Sequence, residues 1–369
     1  MRIAIVEPYF AGSHRAWAEG YRHFSNHDVV LITHEARFWK WRMQGGAATL
    51  VAELHDEIAR NGPVDVLLGT SMLNLPALLG LAYRDLGDAT VALFMHENQL
   101  TYPLSSQDKP DQTYAMVNWL SMLAADLVMF NSEFHRDDWF GELSRFLRQF
   151  PDHEHEEFIP AVRRRSRVVP VGVDLRRFDA QERVRGPVPR IVWNQRWEYD
   201  KGPTSFARAM GRLIERGLDF ELVIAGEQFV SNPPAFERLQ RRLGDRLVHY
   251  GYASDDAYDR FLMSGDIVVS TANQEYFGIA ITEAIYAGAF PVLPNRLVYP
   301  ERLPAEVHDH CLYLGEDELV DLVTWALQHR EEAQAIADGL KPVMSLIDWS
   351  VVAPLYDALL EDAVARGRE

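Results

Sequence analysis

The chain contains one cysteine, Cys311, in 369 residues, which excludes an internal disulfide and fits a reducing compartment. No apolar run approaches the ~18–20 residues that a membrane-crossing helix needs, so no span is expected. The opening MRIAIVEPYF goes straight into a strand pattern and lacks the organisation of a secretory signal, and a cytoplasmic location is expected. Basic residues are in short supply: 37 Lys and Arg stand against 54 Asp and Glu, a formal net charge of −17. That deficit argues against generic nucleic-acid affinity and confines any RNA contact to a local basic surface. Short repeats and low-complexity tracts are also missing.

What is present is an ordinary globular composition, 47% apolar and 25% charged, in a chain too long for one typical core. Apolar runs alternate with amphipathic helical stretches, the pattern of α/β domains built on doubly wound parallel sheets. The first half reads as strands RIAIVEP, DVVLITH, VDVLLGT, TVALFMH, DLVMFNS and RVVPVGV; the second restarts with RIVWNQR and continues through ELVIAGE, LVHYGY, DIVVSTAN, FPVLPN and CLYLG. Between them DLRRFDAQERVRGPVP is polar, carries two prolines and has no sustained period. The expected organisation is a Rossmann-like domain over 1–173, a linker over 174–189 and a second Rossmann-like domain over 190–345.

Two strand-end segments carry chemistry. In QEYFGIAITEAIYAG, Glu275 falls in the loop after an apolar strand, Gly278 stands beside the start of a helix, and Glu283 lies inside that helix. In an open α/β sheet, ligands bind outside the carboxyl ends of the strands, and a carboxylate there accepts the paired hydroxyls of a sugar. In RIVWNQRWEYDKGP, Arg196 and Lys201 follow another strand and precede a helix, a setting for a diphosphate. The bland alternatives are one solvated glutamate and one on a helix surface, and cations that pair with Glu198 and Asp200 on the surface. Together the segments supply diphosphate cations and diol-binding carboxylates on one sheet edge, which a nucleotide-sugar site requires.

With Arg196-x4-Lys201 and Glu275-x7-Glu283 in this order, the chain resembles the retaining, GT-B type glycosyltransferases of family 4. EPYFAGSHRAW, FWKWR, TSMLNLPAL, FMHENQLTYP, LAADLVMFNSEFH and QFPDH narrow the resemblance to tRNA-queuosine α-mannosyltransferases, over nearly the whole chain. The resemblance implies a GT-B fold, two Rossmann-like domains facing a central cleft, with a final helix within 346–369 returning to the first domain. It implies mannose transfer from GDP-mannose to queuosine in tRNA, with Arg196 and Lys201 on the diphosphate, Glu283 on the ribose diol and Glu275 on the hexose. His96 would contact the transferred sugar and Gly12 would help form the floor of the site; read alone, a lone His and a Gly-Ser-His turn are structural. No cofactor beyond the nucleotide sugar and no stable protein partner are expected.

No two aspartates in the chain stand two positions apart, so the Asp-x-Asp metal clamp of the other large glycosyltransferase fold is missing and a metal-independent reaction is expected. His153 with His155, and His308, His310 and Cys311, lack a recognised zinc spacing, and no metal is expected. Candidate basic surfaces are Arg163, Arg164, Arg165 and Arg167, with Arg145 and Arg148 before them, and Arg37, Lys40 and Arg42 interleaved with Phe38, Trp39 and Trp41. The bland readings of these are a solvated linker and a packed aromatic corner. Competing functions are the same chemistry on a lipid, glycan or small-molecule acceptor, or a nucleotide-sugar-binding or RNA-binding protein without turnover.

Overall fold

A computed structural model of the chain describes residues 1–103, 111–226 and 234–367. The last two residues of the expected terminal helix lie outside the described residues. The chain divides into two compact units, Met1–Val173 with Trp349–Glu369, and Asp174–Asp348. Residues of the polar 174–189 stretch thus fall within the second unit.

The first unit contains β1 (Arg2–Phe10), β2 (Asp28–Glu35), β3 (Val66–Thr70), β4 (Thr90–Met95), β5 (Leu127–Phe130) and β6 (Ser166–Val168), in the sheet order β2-β1-β3-β4-β5-β6. The second contains β7 (Arg190–Trp193), β8 (Glu221–Ala225), β9 (Leu247–Gly251), β10 (Ile267–Val269), β11 (Phe290–Pro294) and β12 (Leu312–Tyr313), ordered β12-β11-β10-β7-β8-β9. Every pairing between these strands is parallel. A parallel sheet is covered on both faces, which is why β3, β5, β10 and β11 are buried at every residue and read as continuous apolar runs. The strand order reverses direction between β1 and β3 in one sheet and between β7 and β10 in the other. Those switch points open a crevice at the carboxyl ends of the strands, and they decide where ligand-binding loops emerge.

The expected strand RVVPVGV is shorter than its apolar run, because Pro170 has no N–H to continue a ladder and Gly172 lies against a tryptophan. That tryptophan, Trp349, begins the last helix, Trp349–Gly367, and its N–H donates to the Val173 carbonyl at 3.1 Å. A Cβ at Gly20 would lie 2.1 Å from the indole and one at Gly172 would lie 2.2 Å from it, so both glycines are required by close approach. The helix Gly12–Phe24 buries His14, Trp17, Ala18 and Tyr21 on one face. Trp17 Nε1 donates to the Tyr356 hydroxyl at 3.1 Å, and the Tyr356 hydroxyl donates to the Pro170 carbonyl at 3.1 Å. Buried Asp357 accepts from the Tyr21 hydroxyl at 2.8 Å, the Ser25 hydroxyl at 2.6 Å and the Asn26 N–H at 2.9 Å. These donors replace the water that the carboxylate gives up. Burial in this corner pushes the Tyr21 hydroxyl well above its ordinary pKa.

Gly20→Ala forces its new methyl into the Trp349 ring and is expected to cost about 1–3 kcal/mol. The measurement is the urea midpoint at constant m-value; an unchanged midpoint would show that the helix is not held by this contact.

Candidate active site

In the second unit, the loops that follow β7 and β10 are stitched together. After β7 the chain passes Arg196 and a short 3-10 turn, Tyr199–Lys201, and enters the helix Pro203–Glu215 through Gly202. Gly202 has φ +64°, and a Cβ there would lie 2.3 Å from the Thr271 carbonyl oxygen, so only glycine lets the two loops meet. The Thr271 hydroxyl donates to the Lys201 carbonyl at 2.9 Å, and the Asn273 N–H donates to the Asp200 carbonyl at 2.6 Å.

Inside this junction the Lys201 ammonium is 10% exposed. It donates to the Gln274 carbonyl at 2.8 Å and to Glu275 Oε2 at 3.1 Å, and stands 3.2 Å from the buried Asp200 carboxylate. Burial pushes the Lys201 pKa down, but the carboxylates of Glu275 and Asp200 outweigh it and hold it above its ordinary value. The lysine is therefore a fixed cation. Glu275 Oε1 in turn accepts from the Gly278 N–H at 3.0 Å, at the mouth of the helix Ile279–Tyr286. Gly278 has φ +86° and turns the chain into that helix. Arg196 stands 3.7 Å from Glu198 with its side chain 47% exposed. The acidic pairings considered from sequence thus both form, but the lysine pairing is buried and includes Glu275.

Glu283, 13% exposed, occupies a separate network. Its Oε1 accepts from Arg177 Nη2 at 2.8 Å and its Oε2 from the Tyr258 hydroxyl at 2.7 Å. Asn194 donates to that hydroxyl at 3.0 Å and to the Ala280 carbonyl at 2.7 Å. Arg177 also donates to Asp259 at 3.1 Å and lies over the Phe178 ring. Burial and the neighbouring Glu283 push the Tyr258 hydroxyl well above its ordinary pKa, so it stays a donor. Arg177 and Tyr258 were not found from sequence, since neither stands near a motif.

In the first unit, Gly12 follows β1 with φ +50°, and a Cβ there would meet nothing within 4 Å; its backbone turn, not crowding, calls for glycine. Beneath it Glu7 is fully buried, accepting from the Tyr9 N–H at 2.7 Å and lying 2.9 Å from His14 Nδ1. His96, at the end of β4, places Nε2 3.7 Å from the same carboxylate, and its ring lies 4.1 Å from that of His14 and 4.7 Å from that of Trp17. Burial holds the His96 imidazole well below its ordinary pKa, and the neighbouring His14 and His135 act in the same direction. Its Nε2 has no hydrogen-bond partner among the described residues. Glu7, His14 and His96 offer three ligand atoms within 4.8 Å of one another, the grouping among the described residues that can hold a cation. Burial raises the Cys311 thiol to about 12, and His308 Nε2 lies 2.9 Å from the Leu303 carbonyl, so that Cys/His set is occupied in packing. Asn131 donates to the His96 carbonyl at 2.8 Å, while Ser132 caps the helix Glu133–Leu147 through the His135 N–H.

The arginine run is largely tied to the fold. Arg165 donates to the Met122 and Leu123 carbonyls at 3.0 and 2.8 Å, Arg163 pairs with Asp137 at 3.5 Å, and Arg167 donates to the Arg164 and Ser166 carbonyls. Arg148 pairs with Glu156 and Arg145 with Glu142.

Residues 2–173 match the family described as tRNA-queuosine alpha-mannosyltransferase N-terminal, and residues 176–340 match glycosyl transferases group 1. A tRNA-queuosine alpha-mannosyltransferase of Drosophila melanogaster is 35% identical over 317 residues, covering 82% of each chain. A GDP-mannose:cellobiosyl-diphosphopolyprenol alpha-mannosyltransferase of Xanthomonas campestris is 27% identical over 36% of this chain and 35% of its own. Among solved structures, sucrose-phosphate synthase from Thermosynechococcus elongatus aligns with TM-score 0.73 at 15% identity, over 99% of this chain and 100% of that one. Anabaena HepE, in complex with UDP and glucose, aligns with TM-score 0.70 at 14% identity, over 98% of this chain and 100% of that one. The two parallel six-stranded sheets, the fold of these GT-B neighbours and the Drosophila match agree: the chain belongs to the tRNA-queuosine alpha-mannosyltransferase family.

Proposed function

We propose that this glycosyltransferase moves mannose from GDP-mannose to queuosine in tRNA, in the cytoplasm, with retention at the anomeric carbon and without a metal. The observation that carries the reading is the Lys201–Glu275 pair at the β7/β10 switch point, one strand-end loop for phosphate and one for sugar. The Xanthomonas relative, whose name specifies GDP-mannose, supports the donor, and the Drosophila relative supports the acceptor.

Arg196 and Lys201 are assigned to the charge that grows on the leaving diphosphate. Lys201 is already stripped of water and fixed, so little reorganisation is needed when that charge appears. Glu283 is assigned to the ribose diol. Each of its oxygens spends one lone pair on Arg177 or Tyr258 and keeps another to accept a hydroxyl, so these two residues aim the carboxylate. Glu275, aimed in the same way by Lys201 and the Gly278 N–H, is assigned to the hexose, as is neutral His96. Gly12 leaves the backbone of the first unit open to a ligand. As the C1–phosphate bond breaks and the C1–acceptor bond forms on the same face, a diphosphate oxygen takes the acceptor hydroxyl's proton. The missing Asp-x-Asp pair leaves diphosphate neutralisation to the two cations.

The direct test is mass spectrometry of queuosine from tRNA incubated with the protein and GDP-mannose. A mass increase of one hexose is expected; equal transfer to tRNA carrying guanosine at that position would reject the acceptor.

Glu283→Ala is expected to weaken GDP binding roughly ten- to hundredfold, as loss of a charge-assisted hydrogen bond of about 1.5–3 kcal/mol does. Glu275→Ala lowers turnover more than donor affinity. Calorimetry with GDP and steady-state kinetics separate the two, and wild-type values in both variants would remove the pair from the site.

Transfer is expected to survive EDTA but to be lost in Arg196→Ala and in Lys201→Ala, with folding checked by circular dichroism. Strict dependence on added Mn²⁺ or Mg²⁺ would overturn the charge assignment.

A further inference from the structure

The helix Trp39–Asn61 of the first unit opens in an unusual way. Phe38, the residue before it, adopts a left-handed backbone with φ +51°. For a bulky residue this costs on the order of 1–3 kcal/mol. The strained residue gains no packing in return, because its side chain is 79% exposed. One turn on, Trp41 is 63% exposed, with its indole resting against Gly45, where a Cβ would come within 3.0 Å of the ring. Two large aromatic faces are thus held out to solvent, and Gly45 leaves the second room to lie along the helix.

The charges around them are of the sign the chain otherwise lacks. Arg37, Lys40 and Arg42 fall within six residues of a protein whose net charge is −17. Arg37 pairs with Glu35 at 3.1 Å, and Arg42 donates to the Glu35 carbonyl at 3.3 Å. Lys40 Nζ stands 5.4 Å from the Trp39 ring. Trp39 itself turns inward: its ring lies 5.0 Å from that of Tyr114, and it packs with Tyr9 against Met43, Met72, Tyr114 and Val117. Tyr9 in turn lies 6.0 Å from His14, whose ring lies against His96. Trp39, next in sequence to Phe38, and Tyr9, which reaches the Glu7–His14–His96 cluster, therefore pack on the same small apolar group of the first unit.

Resting on the reading of tRNA as acceptor, we infer that Phe38 and Trp41 are stacking platforms for unpaired bases beside the modified nucleoside, with Arg37 and Lys40 on the adjacent phosphates. Aromatic faces interleaved with cations are the arrangement that binds single-stranded nucleic acid, because every base has a stackable face and every linkage a charge. A lipid surface is a poorer match, since it favours a wider, uninterrupted apolar face than two aromatic rings separated by cations. Stacking is indifferent to base identity, so this surface selects an open RNA loop and leaves the choice of nucleoside to the chemistry of the transfer site.

The test is binding of the full chain to fluorescently labelled RNA, using a queuosine-containing tRNA, a hairpin with an unpaired loop and a duplex of the same length. Wild type is expected to prefer tRNA and hairpin over duplex. Phe38→Ala and Trp41→Ala each weaken hairpin binding on the order of tenfold and abolish that preference, and Trp41→Phe restores most of it. The salt slope stays unchanged in the aromatic variants and flattens by about one log–log unit in Lys40→Ala. GDP affinity, unchanged throughout, controls for folding. Wild-type hairpin binding in both aromatic variants would overturn the inference, as would variants that lose anionic-vesicle binding while keeping RNA binding. Loop-selective binding that needs Trp41, without hexose transfer to tRNA, would sink the tRNA acceptor reading and leave the stacking surface standing.

Discussion

The buried Lys201 ammonium is the constraint on which the nucleotide-sugar half of this structure depends. An isolated charge in that position would lose its proton or drag in water. Two carboxylates, Asp200 and Glu275, keep it charged, and each comes from a different strand-end loop. The ion triad is therefore also a fastener: the loop after β7 and the loop after β10 meet only because Gly202 brings backbone against backbone beneath the lysine. Breaking one partner leaves the others buried and uncompensated, which is far costlier than the loss of one surface pair. The geometry of Glu275 follows directly, since its second oxygen is fixed by the start of the next helix.

Much of this was legible in the sequence. Arg196, Lys201, Glu275 and Gly278 each lie within a few residues of the end of an apolar strand, so local spacing and the rule of carboxyl-end crevices located them. Arg177 and Tyr258 were not legible, because they reach Glu283 across 106 and 25 positions of chain and carry no local pattern. Glu7 was hidden for a different reason. It lies inside the run RIAIVEP, where one polar residue in a strand reads as the outward-facing member of an alternation, yet it is fully buried between two imidazoles. The arginine run allows either a solvated linker or a basic surface when read from sequence; in the fold Arg165 and Arg167 are bound to backbone carbonyls and Arg163 is paired with Asp137. The strand alternation was clear because parallel sheets impose burial on both faces, and it faltered where Pro170 and Gly172 shorten β6.

The two units also treat charge differently. Around Glu283 and Lys201 the side chains arrive in opposed pairs, so that part of the second unit is preset before any ligand arrives. In the first unit, His96 is neutral and partly unsatisfied, and Glu7 has one imidazole within hydrogen-bond distance and another just beyond it. One region is electrostatically closed; the other retains capacity for a hydroxyl or a cation.

The seat of Trp349 between Gly20 and Gly172 bears on how the protein is made. The first unit is encoded in two separate segments, with 175 intervening residues, Asp174–Asp348, that form another unit. A ribosome therefore releases Asp357, the carboxylate that gathers Tyr21, Ser25 and Asn26, only after the whole second unit has been synthesised. Until then Trp17 and Tyr21 lack Tyr356 and Asp357, and the face they form is open. The first sheet is thus an unfinished object until the second unit has been made, whereas the second unit is contiguous and can close as soon as it emerges. Shortened transcripts and premature stops carry a particular risk in such a layout: they yield chains with one sealed unit and one exposed aromatic seam, a form that invites aggregation or proteolysis.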